Sequence, residues 1–320
     1  MKVSLIATVK DAGEHVGRFL GSVAGQTVQP DEVIVVDGGS TDGTLDVLRA
    51  ATSVTVIEEP GANIARGRNL AIAAATHEVI AVSDADCILQ PDWLGRLVET
   101  IEAGADVAMG AYRPITESFF QTCMAAINVR EPEELDERTF MPSSRSVAFR
   151  REAIEAAGGY PEWLDIGEDM YVNHRWRELR VDMRLARDAI VLWPLRPTLA
   201  ATWRQYFKYA RGDAIAGMYP DRNALRFGVY SGALYAWGSK GAVRKLLALA
   251  GAGAYAAKPI RRAMSRFTEP KDKLKAAAVI PALMGIVDLA KMTGYVAGMT
   301  RRKPQGDAAF DATDDRADTR

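Results

Sequence analysis

Residues 79–86 read VIAVSDAD, an apolar run that ends in two aspartates, Asp84 and Asp86. Four consecutive apolar residues followed by polar ones are typical of a buried strand, which places both aspartates at its carboxyl end. In an open α/β sheet, that edge binds ligands. Two carboxylates there offer the hard oxygen ligands that a divalent cation prefers, while water and a substrate diphosphate complete the coordination. The alternative is an ordinary acidic loop, because three-residue acidic patterns are frequent.

The same succession of strand, acid and helix occurs twice upstream. Residues 32–36 form an apolar run that ends in Asp37 and continues into a Gly-rich turn before a helix. Residues 3–9 form another run, which leads through Asp11 into apolar residues at helical spacing. The chain predicts strands near 3–9, 32–37, 53–58, 78–83 and 105–110, and helices near 15–25, 43–51, 64–75 and 92–103. This alternation predicts an α/β fold, a mostly parallel open sheet flanked by helices.

Composition fits an enzyme of one large domain with an appendage. The chain has 320 residues, of which 48% are hydrophobic, so it can bury a full core. Two cysteines and three histidines are too few for a disulfide framework or a zinc site, and they favour a reducing, cytosol-facing location. The first apolar run is a short strand, so we expect no signal peptide.

The overall charge of −1 hides a division along the chain. Residues 1–200 hold 19 Lys and Arg against 31 Asp and Glu, whereas residues 201–303 hold 19 against 5. The acidic first part argues against general nucleic-acid binding, so no nucleic-acid partner is expected. The basic, Ala-rich second part suits a surface of anionic lipid.

Four segments, in this order and spacing, resemble family-2 glycosyltransferases with a GT-A, Rossmann-like fold. They are the strand and turn at 32–44, the segment 63–69, the acidic pair at 84–86, and Gly-Glu-Asp at 167–169. The resemblance covers residues 1–212. It implies transfer from a nucleotide-sugar with inversion at the sugar carbon.

The resemblance implies a donor pocket near the first two strands. A carboxylate can accept the N–H of a uracil, so Asp37 is expected to contact the base, with Thr8 and Asp11 lining the same pocket. The alternative for Asp37 is that it only caps the following helix. Similar enzymes have Pro-Thr-Tyr-Asn at the first strand, whereas this chain has Ala-Thr-Val-Lys at 7–10, so an aromatic partner for the base is missing. UDP-sugars are the expected donors, and the missing aromatic residue weakens this expectation.

The diphosphate and metal are expected to bind near the central acids. By resemblance, Arg68 holds the diphosphate, because a guanidinium can bind it in bidentate fashion. Arg66 points elsewhere on the same helix, and a solvated surface arginine is the alternative for both residues. Asp84 is expected near the ribose and metal, and Asp86 as the direct ligand of Mg²⁺ or Mn²⁺, which would neutralise the leaving diphosphate.

An inverting transfer needs a base that removes the proton of the acceptor hydroxyl. The resemblance places Asp169 in that role, with Glu168 as an adjacent support. The alternative is that both acids occupy the first turn of a helix that runs to Leu179, where they favour the helix dipole. The two readings are compatible.

A later segment is similar to the Gln-x-x-Arg-Trp element of processive family members. Here residues 205–209 read QYFKY and are followed by Arg211, so charge and aromaticity persist while both key residues are substituted. We therefore expect Lys208 and Arg211 to assist donor binding without processive synthesis. The alternative is an amphipathic helix with Tyr206 and Tyr209 in its core and the two cations in solvent.

The last part of the chain predicts a helical, membrane-associated region at 221–303, after a catalytic domain at 1–220 and before an acidic, disordered tail at 304–320. Its apolar stretches, 246–257 and 276–299, flank a basic segment. The first is shorter than the ~20 residues of a spanning helix, and three residues interrupt the second: Pro281, Asp288 and Lys291.

We therefore expect peripheral or re-entrant attachment to the cytoplasmic face of the cell membrane. A hairpin that spans the bilayer is one alternative, with the basic segment on the cytosolic side. A soluble helical bundle or dimer interface is another.

The sequence thus favours a metal-dependent, hexosyl-type glycosyltransferase. It would move a sugar from a nucleotide-diphosphate donor to a lipid-linked glycan or a polyprenyl phosphate during glycan assembly. Two alternatives stay open, a catalytically silent nucleotide-sugar-binding partner of another membrane transferase and a nucleotidyltransferase. The presence of both Asp86 and Asp169 argues against the catalytically silent partner. The absence of a convincing phosphate loop at 10–13 argues against the second.

Overall fold

Eight strands form one open sheet in the computed structural model, which describes residues 1–301. The predicted acidic tail at 304–320 lies outside the described residues. The strands are β1 (Val3–Val9), β2 (Glu32–Asp37), β3 (Thr55–Glu58), β4 (Val79–Asp84), β5 (Ile88–Leu89), β6 (Val107–Ile115), β7 (Val147–Arg150) and β8 (Met183–Pro194). The five strands expected from the sequence are all present, with ends that differ by a few residues.

The sheet is mixed, in the order β3-β2-β1-β4-β7-β6-β8-β5. Four of the seven neighbouring pairs within the described residues are parallel. Strand β7 runs antiparallel to both β4 and β6, and β5 runs antiparallel to β8. The fold class predicted from the sequence is confirmed, with antiparallel strands added in the half of the sheet where the sequence alternation weakens.

Helices of the described residues cover the sheet and then form a separate region. They are α1 (Glu14–Ala24), α2 (Thr44–Ala50), α3 (Ile64–Ala74), α4 (Trp93–Glu102), α5 (Phe119–Asn128), α6 (Arg151–Ala156), α7 (Glu168–Glu178), α8 (Leu199–Ile215), α9 (Pro220–Gly238), α10 (Ala242–Arg266) and α11 (Pro270–Met299). A short 3₁₀ helix occupies Pro132–Glu134.

The central strands are apolar on both faces because helices cover each side. In β1 and β4 every residue from the first to the fifth is buried, as expected for a parallel strand between two helical layers. Helix α1 contributes Val16, Phe19 and Val23, whose spacing puts them on one face. The core thus follows directly from the apolar patterns in the sequence.

The chain divides into two compact units. The first contains Met1–Ile115 and Arg130–Pro194, which include the whole sheet. The second contains Thr116–Val129 and the described residues from Leu195 onward. The end of the catalytic domain at residue 220 remains a prediction.

Helix α11 is the longest helix of the second unit, with 30 residues. Pro281 lies inside it and does not end it, so the expected interruption of this stretch is wrong for the backbone. Asp288 is buried, but it accepts hydrogen bonds from Arg226, Tyr230 and Tyr255 of neighbouring helices. By length and composition, α11 could cross a membrane, with a mean hydropathy of 1.5 over its most apolar window. A core helix of a soluble protein satisfies the same criterion.

Gly110 marks an irregularity in the second half of the sheet. Between Gly110 and Ala111, the register of β6 against β8 shifts. A Cβ on Gly110 would lie 2.0 Å from Ser146 Oγ and 2.9 Å from the carbonyl oxygen of Ala189. The Ser146 hydroxyl cannot move aside easily, because it accepts a hydrogen bond from Trp93 Nε1 and donates one to Ala189.

We therefore expect Gly110→Ala to lower the free energy of unfolding by about 2 kcal/mol, the usual cost of overpacking a core. Chemical denaturation of the purified protein measures this change. Gly21→Ala is the matched control, because Gly21 lies within α1 and nothing occupies the space of its Cβ. That variant should be neutral or more stable by about 0.5 kcal/mol. Equal effects of the two substitutions would contradict the packing argument.

Candidate functional site

Three strands of the first unit end together and bring distant polar residues to one edge of the sheet. In the parallel register, Thr8 of β1 is the partner of Asp84 in β4, and Val9 is the partner of Asp37 in β2. Helix α3 packs closely over this edge, since a Cβ on Gly67 would lie 2.8 Å from Thr8 Cγ2. The edge therefore joins Thr8, Asp37 and Asp84, as the sequence predicts.

Arg68 lies at the centre of this edge and joins two acids that are distant in sequence. Its Nη1 donates to Glu168 Oε1 at 2.6 Å, and its Nη2 donates to Asp84 Oδ1 at 2.8 Å. The arginine is only 2% exposed, and its guanidinium carbon lies 5.1 Å from the centre of the Tyr160 ring. The alternative of a solvated arginine is thus wrong for Arg68. It is right for Arg66, which is exposed and pairs with Glu59.

Burial and charge oppose each other in this cluster. Burial alone would lower the pKa of Arg68, but the carboxylates of Glu168 and Asp84 raise it above its usual value. Burial raises the pKa of Glu168, although Arg68 pulls it in the opposite direction. Burial also raises the pKa of the Tyr160 hydroxyl to about 12, so this residue stays neutral. A buried guanidinium needs its two acidic partners to remain charged without a large cost.

Hydrogen bonds between the Asn69 side chain and the Tyr160 backbone join α3 to the turn that precedes α7. Asn69 accepts a hydrogen bond from the Tyr160 amide at 2.9 Å and donates one to the Tyr160 carbonyl at 2.8 Å. The turn formed by Gly158 and Gly159 before Tyr160 therefore lies against α3. Helix α7 then begins after Gly167, which has a positive φ of 89°. Its first two residues are the acids Glu168 and Asp169.

These two neighbouring acids have different surroundings. Glu168 is buried and bonded to Arg68, whereas Asp169 is partly exposed. Asp169 accepts a hydrogen bond from the Ser143 hydroxyl at 3.2 Å and one from the Met170 amide at 2.8 Å. Both acids also occupy the first turn of α7, so the helix-dipole interpretation holds as well. Asp169 is the carboxylate that a substrate could reach.

Arg145 is a site residue that the sequence analysis missed. Its Nε lies 3.5 Å from Asp84 Oδ2. Its guanidinium carbon lies 4.2 Å from the centre of the Trp193 ring and 5.6 Å from that of Tyr112. The antiparallel register pairs Val82 with Val147, so a residue just before β7 lies beside the acids just after β4. The sequence gives no signal for Arg145, because an arginine before a strand is common. Only the strand register places it beside Asp84.

Asp37 and Asp11 both bind the turn between β2 and α2. Asp37 is buried, and its Oδ1 accepts from the amides of Gly39 and Ser40, each at 2.8 Å. Asp11 accepts from the Thr41 amide at 2.8 Å. Asp37 thus holds the turn and does not cap α2, which begins at Thr44 after Gly43 with no side-chain cap, so the capping alternative is wrong. Base recognition by Thr8, Asp11 and Asp37 remains a prediction.

The acidic pair of β4 has the donor chemistry of a hard cation site. The oxygens of Asp84 face Arg68 and Arg145, and Asp86 Oδ1 accepts a hydrogen bond from the Cys87 thiol at 3.6 Å. The role of Asp86 as direct ligand remains a prediction. Within residues 1–301, no group of three or more His, Cys, Asp or Glu side chains could hold a metal ion by itself. The residues therefore fit a cation whose remaining ligands come from a substrate diphosphate and water.

Lys208 and Arg211 belong to the second unit, on α8. Lys208 is exposed, and Tyr206 and Tyr209 are partly buried with their rings 5.9 Å apart. This agrees with the amphipathic alternative for Lys208 and the two tyrosines. A role for Lys208 and Arg211 in donor binding stays a prediction.

Residues 4–158 match the model of glycosyl transferase family 2. This part of the chain belongs to that family. Curated relatives named as glycosyltransferases agree with this match. The chain is 27% identical over 235 residues to glycosyltransferase AglE of Haloferax volcanii, which covers 70% of this chain and 76% of AglE. It is 25% identical over 222 residues to the O-antigen chain rhamnosyltransferase RfbN of Salmonella typhimurium, covering 65% of this chain and 71% of RfbN.

A solved structure confirms the fold of the chain. The mannosyltransferase PcManGT from Pyrobaculum calidifontis, in complex with GDP-Man and Mn²⁺, superposes with a TM-score of 0.55. The match covers 93% of this chain and 87% of PcManGT at 20% sequence identity. The similarity establishes the GT-A fold.

We expect Arg68→Met to lower the free energy of unfolding by about 3 kcal/mol, because it leaves the buried Glu168 carboxylate without its cation. The loss should shrink as the pH falls, since protonation of Glu168, whose pKa is raised by burial, removes the uncompensated charge. Denaturant unfolding at several pH values measures both effects.

Arg66→Met is the matched control on the same helix. Arg66 forms ion pairs with Glu59 and Glu162 at the surface, where its side chain is 48% exposed. Its removal should change stability by less than about 1 kcal/mol at every pH. A loss for Arg68→Met no larger than that of the control would contradict the central role of the buried pair.

Proposed function

We propose that this glycosyltransferase is an inverting, metal-dependent enzyme of glycan assembly. It moves a sugar from a nucleoside-diphosphate donor to the hydroxyl of a lipid-linked glycan or to a polyprenyl phosphate, at the cytoplasmic face of a membrane. The observation that carries the proposal is the arrangement around Arg68. It joins the acidic edge of β4 to the start of α7, so that Asp84 and Asp169 belong to one cluster.

In the proposed reaction, the acceptor oxygen attacks the anomeric carbon from the face opposite the diphosphate. The bond from that carbon to the diphosphate breaks, and the nucleoside diphosphate leaves. For a hydroxyl acceptor, Asp169 takes the proton that the attacking oxygen releases. The partly exposed Asp169 suits this role better than Glu168, which is buried and bonded to Arg68.

Asp86, supported by Asp84, would hold the Mg²⁺ or Mn²⁺. When bound, the cation would neutralise the charge that develops on the leaving diphosphate. Arg145 supplies a further positive charge beside Asp84, and the faces of Trp193 and Tyr112 fix its position. The predicted preference for UDP-sugars should be tested beside GDP-mannose, because the fold of PcManGT accommodates a guanine nucleotide.

The enzyme assignment is favoured over the silent partner and the nucleotidyltransferase. Relatives named as glycosyltransferases match 70% and 65% of the chain, and the acid expected of a base is present at 169. The lipid acceptor and the membrane location rest on the basic, helical second unit.

We expect Asp86→Asn to abolish turnover and metal-dependent donor binding while the protein stays folded. The amide keeps the shape of the side chain but loses the charge that binds the cation. Thermal stabilisation by nucleotide-sugars, measured with Mn²⁺ and with chelator, tests this. Asp188→Asn is the control, because Asp188 is an exposed acid on β8 of the same unit. Normal metal-dependent binding by Asp86→Asn would show that the metal site is elsewhere.

We expect Asp169→Asn to keep donor affinity while sugar transfer falls by about 10²-fold or more, because an amide cannot take the proton. Ser143→Ala removes only the hydroxyl that donates to Asp169, so it should cost about tenfold or less. Both variants should be assayed for donor binding and for single-turnover transfer. If Asp169→Asn lost donor binding as well, Asp169 would belong to the donor pocket instead.

A further inference from the structure

The first half of α10 and the end of α9 carry large apolar side chains that the protein does not cover. Six of these, between residues 234 and 249, are 55–75% exposed: Leu234, Trp237, Val243, Leu246, Leu247 and Leu249. From Ala242 to Ala257, Ala256 is the one buried residue. A helix that is apolar on most sides is normally covered by protein or lipid. We define this segment, residues 234–257, as the apolar hairpin.

We propose that the apolar hairpin lies in the interface of an anionic membrane, and that α11 does not. This inference rests on the proposed membrane-associated function and names the surface responsible. The more apolar α11 is packed within the second unit. A Cβ on its Gly294 would lie 2.2 Å from the carbonyl oxygen of Phe207, and one on Gly298 would lie 2.4 Å from that of Arg211. This close contact shows that one face of α11 is packed against α8 inside the second unit.

The charges around the apolar hairpin match anionic lipid. The sequence from Arg222 to Thr268 contains nine Lys and Arg and no Asp or Glu. Three of these cations lie at the turn between α9 and α10: Lys240, Arg244 and Lys245. Arg244 lies 5.5 Å from the Tyr235 ring, and Lys245 lies 5.9 Å from the Trp237 ring. Aromatic residues beside cations are typical of the headgroup level of a bilayer.

The positions of the cations also fix the orientation. The apolar run at 246–257 has basic residues at both ends, because Lys258 and Arg261 follow it. Its 12 residues extend about 18 Å, less than the hydrocarbon thickness of about 30 Å. If the turn between α9 and α10 entered the bilayer first, it would carry Lys240, Arg244 and Lys245 into the hydrocarbon at a large cost in free energy. An orientation parallel to the surface keeps both groups of cations among the headgroups.

The two sides of α10 fit this orientation. Its buried residues are Ala256, Pro259 and Ala263, which face the rest of the second unit. Leu247 precedes Ala256 by nine residues, about two and a half turns, and so points to the opposite side. Val243 and Leu246 are within one turn of Leu247 on that outer side. The large apolar residues therefore face away from the protein.

The test uses the full-length protein and its sedimentation with vesicles, with no catalytic readout. The vesicles contain either phosphatidylcholine alone or an equimolar mixture with phosphatidylglycerol. The variant Leu246→Ser with Leu247→Ser should weaken binding to the mixed vesicles by about 100-fold or more, because two buried leucines are lost from the interface. Arg244→Glu with Lys245→Glu should weaken it by about tenfold or more, and only for the anionic vesicles.

Leu289→Ser with Val296→Ser is the matched control on α11, where both residues are 49% exposed. It should bind vesicles like the unmodified protein. Donor-induced thermal stabilisation should persist in all variants, so that a failed membrane assignment is distinguished from a failed glycosyltransferase assignment.

Two outcomes would overturn the inference. In one, the α11 variant loses vesicle binding while the α10 variant keeps it, which would make α11 the lipid-binding element. In the other, the protein does not bind vesicles but self-associates, and Leu246→Ser with Leu247→Ser makes it monomeric in light scattering. The apolar hairpin would then be an interface between two copies.

Discussion

The buried guanidinium of Arg68 is the interaction on which the site of this glycosyltransferase depends. It bonds to Asp84 at the end of β4 and to Glu168 at the start of α7, and almost none of it reaches solvent. A charge buried to this degree is stable only with its partners in place, and each partner is stable only with the arginine. The three residues therefore fix one another, and the acidic edge of the sheet is joined to the helix that carries Asp169.

This arrangement separates structural charge from reactive charge. Glu168 neutralises Arg68 inside the protein, whereas its neighbour Asp169 is partly exposed and bonded to a serine hydroxyl. Asp84 is bonded to Arg68 and lies 3.5 Å from Arg145 Nε, whereas Asp86 is the residue that we propose as the metal ligand. In each pair of acids, one residue supports the site and the other is the one that we propose to act.

The second unit shows why hydropathy alone does not identify a lipid-facing surface. Helix α11 is long and apolar, but its glycines lie against α8 and its buried Asp288 is bonded to Arg226 and two tyrosines. The less apolar α10 leaves its leucines exposed instead. Small residues permit close helix packing, whereas large exposed residues require another partner. The distinction depends on which side chains are covered, and composition does not report that.

The sequence by itself determined the first half of the sheet and the acids at its edge. Apolar runs such as 79–82 have one stable environment, between two helical layers, and parallel strands must then align Thr8, Asp37 and Asp84. The order of the motifs also indicated Asp169 and the family. Sequence spacing did not reveal whether Arg68 was buried, because burial depends on Glu168, 100 residues away. Nor could it find Arg145, which reaches Asp84 only through the antiparallel pairing of β7 with β4. Contacts of this kind arise when distant segments fold together, so only the tertiary structure decided them.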